Sequence, residues 1–288
     1  MRILVAVDGS DQSYEAVRAL SQMGRPEAAV LVHAMDVPAP AYPTMVPEVA
    51  RDLSRTQERA MREEGERVLR TAASLLPLNA GSVSKVIEVG KPIDVILSVA
   101  DRERIDLIVV GARGVGALRE LMLGSVSHRV VTHAPCAVLV VGAPLRPVQQ
   151  MVLAVDAAED ADAVVRWFEP RPFKETGAIT VLSVIPYAHA AWPVGAMIPE
   201  PWQQEVLAGA TRFAENIAAK LTPLGHRAKG IAVQGSPASE ILKTAAIDHA
   251  DLIAMGSHRR GLSRAMMGST SHGVLHRAAC PVLIIRER

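Results

Sequence analysis

Short apolar runs separated by longer amphipathic stretches recur along this chain. ILVAV (3–7), VLVHAM (30–35), KVIEV (85–89), LIVV (107–110) and AVLVV (137–141) are rich in valine, isoleucine and leucine, with little polar alternation. Runs of this kind predict strands covered on both faces, as in a parallel sheet. Between them, SYEAVRALSQM (13–23), the long charged stretch 47–76, PIDVILSVADRE (92–103) and SVSHRVVTHA (125–134) carry helical spacing. Pro92 suits a helix start, Ser125 suits an N-cap, and Pro135 stops the last helix. The order βαβαβαβαβ predicts a doubly wound open sheet, whose ligands sit beyond the carboxyl ends of the strands where the strand order reverses.

The same pattern then begins again. RILVAVD (2–8) matches QMVLAVD (150–156), and AAVLVHAMDV (28–37) matches AITVLSVIPY (178–187). VIEVGKPIDVI (86–96) matches IAVQGSPASEI (231–241), and DLIVVGARG (106–114) matches DLIAMGSHR (251–259). GSVSHRVV (124–131) matches GSTSHGVL (268–275), and APCAVLVV (134–141) matches AACPVLII (278–285). Gly90 to Gly111 and Gly235 to Gly256 both span 21 residues, and Gly124 to Val138 and Gly268 to Val282 both span 14. Landmarks in one order at one spacing indicate a duplication. The expected domains are 1–144 and 149–288, joined by a short segment (143–147) with two prolines.

Composition narrows the function classes. The 288 residues are 49% hydrophobic and 21% charged, with a formal net charge of +1. That balance predicts a soluble globular protein and argues against bulk-charge binding to nucleic acid or membrane. An aromatic content of 3% leaves few stacking platforms for single strands. The opening MRILVAVDGS meets Asp8 too early for a signal-peptide core, and no apolar stretch reaches membrane-spanning length. Two cysteines, Cys136 and Cys280, form no disulfide framework and fit a reducing cytoplasm. At matching positions before the last strand, they read as small buried hydrophobes.

Candidate chemistry gathers at the expected ligand edge. The first strand runs into Asp8-Gly9-Ser10, and the fourth into Gly111-Ala-Arg-Gly114, followed after nine residues by Gly124-Ser125-Val126. Glycines let a phosphate approach the backbone, and the opening of a helix offers free amides, a positive dipole end and here a hydroxyl. The intervening 115–123 could close over a ligand as a partial helix. Arg113, Arg119 and Arg129 are either solvated charges or phosphate contacts. His272 and His276 have zinc-helix spacing without an accompanying carboxylate motif, so a metal site is not expected. Pro186–Trp202 is either a lid or a packed loop.

The pattern G-x2-G-x9-G-[ST] after a strand, with an aspartate ending the first strand, resembles the ATP-binding universal stress proteins, over nearly the whole chain and twice. The resemblance implies two tandem five-stranded parallel-sheet domains of the adenine-nucleotide α-hydrolase-like type, paired pseudo-symmetrically. It implies that Asp8, with Gly9 and Ser10, meets the nucleoside, that Ala34 meets adenine, and that Gly111, Gly114, Gly124, Ser125 and Val126 hold ribose and phosphates. Carried to the second half, it implies Asp156, Val184, Gly256, Gly268, Ser269 and Thr270. There the pattern departs: Ala157-Ala158 replaces Gly9-Ser10, the glycine interval is 12 rather than 13, and Arg259 stands where the middle glycine is lost. Arg259 and Arg260 either compensate by charge or fill the phosphate space.

The family further implies ATP, with or without magnesium, an unknown protein partner and homodimerisation. No GxxxxGK[ST] loop, GxGxxG after the first strand, nucleophile elbow or Ser/His/Asp set is present. The expected function is a nucleotide-binding regulatory module, at most a slow ATPase. The alternatives are an ATP-cleaving or nucleotidyl-transferring enzyme, and a partner-binding scaffold with vestigial sites.

Overall fold

Apolar runs with nothing polar to expose become sheet interior, and the chain does this twice. The computed structural model describes residues 1–38, 46–114, 123–156, 158–186, 200–256 and 268–286. It divides into two compact units, Met1–Ser21 with Arg25–Val141, and Gln22–Gly24 with Gly142–Arg288.

In the first unit, β1 (Arg2–Ala6), α1 (Asp11–Ala19), β2 (Ala28–Met35), α2 (Pro47–Ser74), β3 (Ser82–Val89), α3 (Pro92–Arg102), β4 (Leu107–Gly111), α4 (Ser125–His133) and β5 (Ala137–Val141) follow one another. The strands lie in the order β3-β2-β1-β4-β5, with parallel pairing throughout. The second unit contains β6 (Val148–Ala154), α5 (Ala158–Phe168), β7 (Thr176–Ile185), α6 (Glu200–Leu221), β8 (Arg227–Gln234), α7 (Pro237–Ile247), β9 (Leu252–Gly256), α8 (Ser269–Arg277) and β10 (Val282–Ile285). Its order, β8-β7-β6-β9-β10, is the same and again parallel. Each unit is a doubly wound α/β sheet, as the apolar pattern predicts.

The core sits on these central strands. Ile3, Leu4, Ile108, Val109 and Leu139 are fully buried in the first unit, and Val152, Leu153, Ile253 and Leu283 in the second. Each contributes about 1.5–3 kcal/mol by leaving water. β3 and β8 differ from the expectation of cover on both faces. β3 is exposed along its first half and β8 is at most half-buried. Both stand at the outer end of their sheet, where an uncovered strand takes polar residues such as Ser82, Ser84 and Lys85.

Two helix starts also differ from the expectation. α1 begins at Asp11, two residues ahead of the stretch 13–23, and Ser10 caps it: its hydroxyl accepts the Ser13 amide at 3.2 Å. Gly124, rather than Ser125, is the N-cap of α4, and no side chain caps that helix. The charged face of α2 is laced by i,i+3 and i,i+4 pairs such as Arg59–Glu63 at 3.1 Å and Arg62–Glu58 at 3.6 Å. Exposed pairs of this kind each contribute about 0.3–0.5 kcal/mol. No helix among the described residues is long and apolar enough to cross a membrane.

One buried side chain should make the second unit acid-sensitive. His226 is 6% exposed, lies edge-on to Phe168 with ring centres 5.5 Å apart, and has no hydrogen-bond partner for Nε2. Burial first, and the Arg171 guanidinium second, push its pKa below the ordinary 6.5. The unfolded chain therefore takes up a proton more readily than the folded one, and stability falls as pH drops below that ordinary value. Trp167 packs on Phe168 at 5.2 Å and reports the change. Urea unfolding followed by tryptophan fluorescence at about pH 8 and about pH 5.5 should show a larger acid loss for the parent than for His226→Phe.

Candidate functional site

In the first unit β1 leads outward to β2 and β3, whereas β4 returns to the other side of β1. The carboxyl ends of β1 and β4 thus flank the crevice that such sheets offer to ligands. A cavity of about 410 Å³ lies there. Ala6, Val7, Val32 and Val110 supply its strand side, and Pro92 and Ile96 of α3 add an apolar wall. Asp8, Arg113, Gly114, Gly124, Ser125 and Val126 supply the polar side, together with Ser13 and Ser127. The α3 wall suits a flat apolar ring, and the start of α4 suits an anion.

Asp8 is held from behind. Its Oδ1 accepts the Ser10 amide at 3.0 Å and the Ser10 hydroxyl at 2.6 Å. The same hydroxyl caps α1, so the helix start and the carboxylate share one anchor. Oδ2 points toward the fourth-strand loop: a Cβ on Gly114 would collide with it. On the other side, the His33 imidazole donates from Nδ1 to the Val7 carbonyl at 2.8 Å, because a carbonyl can only accept.

The loop after β4 is pinned at three points. The Ala112 amide donates to the Val141 carbonyl at 2.9 Å, the Gly124 amide to the Ala112 carbonyl at 2.7 Å, and the Arg113 amide to Gln12 Oε1 at 2.6 Å. The Ser127 hydroxyl donates to the Gly111 carbonyl at 2.6 Å, tying α4 to the strand end. The first intrahelical bond of α4 is His128 N–H to the Gly124 carbonyl, at 2.9 Å. The amides of Ser125, Val126 and Ser127 precede that bond, so they have no acceptor within the helix. With no capping side chain, they and the dipole face the cavity as an anion-binding end.

Of the residues singled out in the first half, Asp8, Ala34, Gly111, Gly114, Gly124, Ser125 and Val126 line this cavity. Gly9 and Ser10 are not among the lining residues and act behind Asp8. Gln12, Ser127, Pro92 and Ile96 carry weight beyond the residues singled out in the sequence. Ser127 carries a signal as the second serine of the GSVS start of α4. Gln12, Pro92 and Ile96 had none, because they arrive from other elements. The segment 115–122, including Arg119, lies outside the described residues.

In the second unit Asp156 follows β6 and is exposed, and Val184 is buried on β7 in register with Val233. Gly256 ends β9. Gly268 is the uncapped N-cap of α8, with Ser269 exposed and Thr270 half-buried. The Val155 amide donates to Leu182 O at 3.0 Å, as Val7 does to Val32 O at 2.8 Å. Residues 257–267, with Arg259, Arg260 and Gly261, lie outside the described residues, as do Ala157 and 187–199. Among the described residues, no group of three or more His, Cys, Asp or Glu side chains could hold a metal. The His272 and His276 rings lie tilted to each other with centres 4.2 Å apart. Cys136 is buried as expected, whereas Cys280 is half-buried.

Comparison with known proteins agrees with this architecture. Residues 1–142 and 147–286 each match the universal stress protein family. Universal stress protein YxiE of Bacillus subtilis is 34% identical over 148 residues, 49% of this chain and 97% of its own length. Universal stress protein Mb2028c of Mycobacterium bovis is 26% identical over 99% of this chain and 97% of its own. A universal stress protein from Archaeoglobus fulgidus superposes with a TM-score of 0.71 at 19% identity, over 99% of this chain and 96% of that one, a likeness of fold.

Proposed function

Because the chain belongs to the universal stress protein family, we propose that its first unit binds ATP and that occupancy regulates the conformation or the partners of the protein. The observation that carries this reading is the two-sided cavity at the strand-order reversal, apolar against Pro92 and Ile96 and lined at the start of α4 by amides that have no acceptor within the helix. Adenine would enter beside Ala34 and α3. The ribose would meet Asp8, whose second oxygen faces the loop. The phosphates would take the Ser125–Ser127 amides and the Ser125 hydroxyl, with the Arg113 charge alongside. Its size falls in the range of small-molecule sites, about 300–1,000 Å³. The reading takes ATP with or without magnesium. Domains 1–144 and 149–288, a homodimer, an unknown protein partner and a cytoplasmic setting belong to the same proposal.

The second unit, in this reading, binds more weakly through Asp156, Val184, Gly256, Gly268, Ser269 and Thr270. Its glycine interval is one residue shorter, and donors aimed away from a phosphate lose most of their hydrogen-bond energy.

Extraction of any nucleotide retained on purification, followed by calorimetric titration with ATP, tests the proposal. We expect one tighter site. Ser125→Ala should weaken it roughly 2–10-fold, since one hydroxyl contact contributes about 0.5–1.5 kcal/mol. No ATP binding would overturn the reading, and two equal sites would overturn the ranking. Turnover above a few per minute would make the protein an enzyme instead.

A further inference from the structure

The amide of Arg113, inside the loop that follows β4, does not face the cavity as a donor. It is taken by Gln12 Oε1 at 2.6 Å, across 101 residues of sequence. Gln12 lies in the first turn of α1, directly after the Asp8–Ser10 turn that anchors this helix. Its backbone also presses on the end of β4: a Cβ on Gly111 would lie 2.9 Å from the Gln12 carbonyl carbon and oxygen. The first turn of α1 therefore meets the strand-four loop by backbone packing and by one side-chain hydrogen bond.

We infer that Gln12 is a positioning residue that sets the phosphate loop of the first unit; the inference rests on the ATP reading of this cavity. Gln12 does not reach the nucleotide in this scheme. Its side-chain carbonyl satisfies one loop amide and so fixes the rotation of the Ala112–Gly114 peptides. That rotation places the Arg113 side chain on the cavity and keeps Gly114 against Asp8. The Val141 carbonyl holds Ala112 from one side and the Ala112 carbonyl holds Gly124 from the other, at 2.9 and 2.7 Å. Arg113 is the middle point of this three-point attachment, and its anchor alone is a side chain. Losing it frees the phosphate end of the site and leaves the slot between β2 and α3 as it was.

Two variants test this. Gln12→Leu keeps size and helix propensity but removes the acceptor, whereas Gln12→Glu keeps an acceptor oxygen. Hydrogen exchange at the Arg113 amide, followed by NMR without nucleotide, should speed up about tenfold in the leucine variant, as expected for one lost hydrogen bond. It should stay near the parent rate in the glutamate variant, and Ala112 and Gly124 should keep their protection in both. In the leucine variant ATP affinity should fall roughly tenfold, while adenosine affinity stays within about twofold. Unchanged Arg113 exchange in the leucine variant would overturn the inference, as would equal losses for ATP and adenosine. If the parent binds no ATP, the nucleotide reading fails, and the exchange comparison decides by itself whether Gln12 holds the loop.

Discussion

Gly114→Val should reduce ATP affinity of the first unit roughly 100-fold, the loss of one or two hydrogen bonds to a charged group at about 1.5–3 kcal/mol each. The residue is exposed, so the fold itself has no reason to fail. The conflict is local: any Cβ here meets Asp8 Oδ2. Asp8 cannot simply swing aside, because Oδ1 is held by both the amide and the hydroxyl of Ser10. Either the carboxylate abandons those bonds, uncapping α1 in part, or the loop withdraws and carries Arg113 off the cavity. Both outcomes separate the nucleoside end of the site from its phosphate end. Calorimetry with ATP measures the loss, and thermal unfolding should show little change. ATP binding within about threefold of the parent would mean that the Asp8–Gly114 approach does not shape the site.

A second glycine substitution should act on stability instead. Gly230 pairs with Val181 in the β7–β8 register, and a Cβ there would collide with the backbone at Ala214 and Glu215 of α6. The opposing atoms are main chain and cannot turn away. Gly230→Val must lift α6 from β8, loosening the contacts of Ala214, Ile217, Ala218 and Leu221, all buried. We expect a destabilisation of about 3 kcal/mol or more, the upper part of the range for overpacking. All three tryptophans lie in the second half of the chain, at 167, 192 and 202, so urea unfolding followed by tryptophan fluorescence isolates this unit. A midpoint unchanged from the parent would show that α6 yields without cost. In the first unit the matching register position, opposite Leu31, is the exposed Lys85. The two copies thus bring their long helix to the edge strand in different ways.

The central strands are legible in the sequence because burial on both faces leaves nothing but valine, isoleucine and leucine to write them. β5 is legible to the residue, Ala137–Val141. The edge strands are less so, since β3 begins three residues ahead of KVIEV in the polar Ser82-Val83-Ser84. The duplication lends each half the reading of the other. In the candidate site, Asp8, Gly111 and Gly124 announce themselves at strand ends and at a helix start. Gln12 does not, because its partner Arg113 is 101 residues away and one glutamine on a helix looks like any other. Pro92 reads only as a helix start, although it also walls the cavity. Gly111 and Gly114 invite an explanation through ligand access, but the nearest obstacles to a Cβ are Gln12 and Asp8. Their small size already serves the protein's own packing.

The two thiols bear on a different kind of chemistry. Burial raises the Cys280 thiol to about 11, and Cys136 is buried in the first unit. Sulfur reacts with peroxides and alkylating agents chiefly as the thiolate. At neutral pH Cys280 therefore carries that form only rarely. An oxidative burst or an electrophile would therefore meet slow sulfur on this half-buried residue, and the route from exposure to sulfenic acid begins with very little reactant.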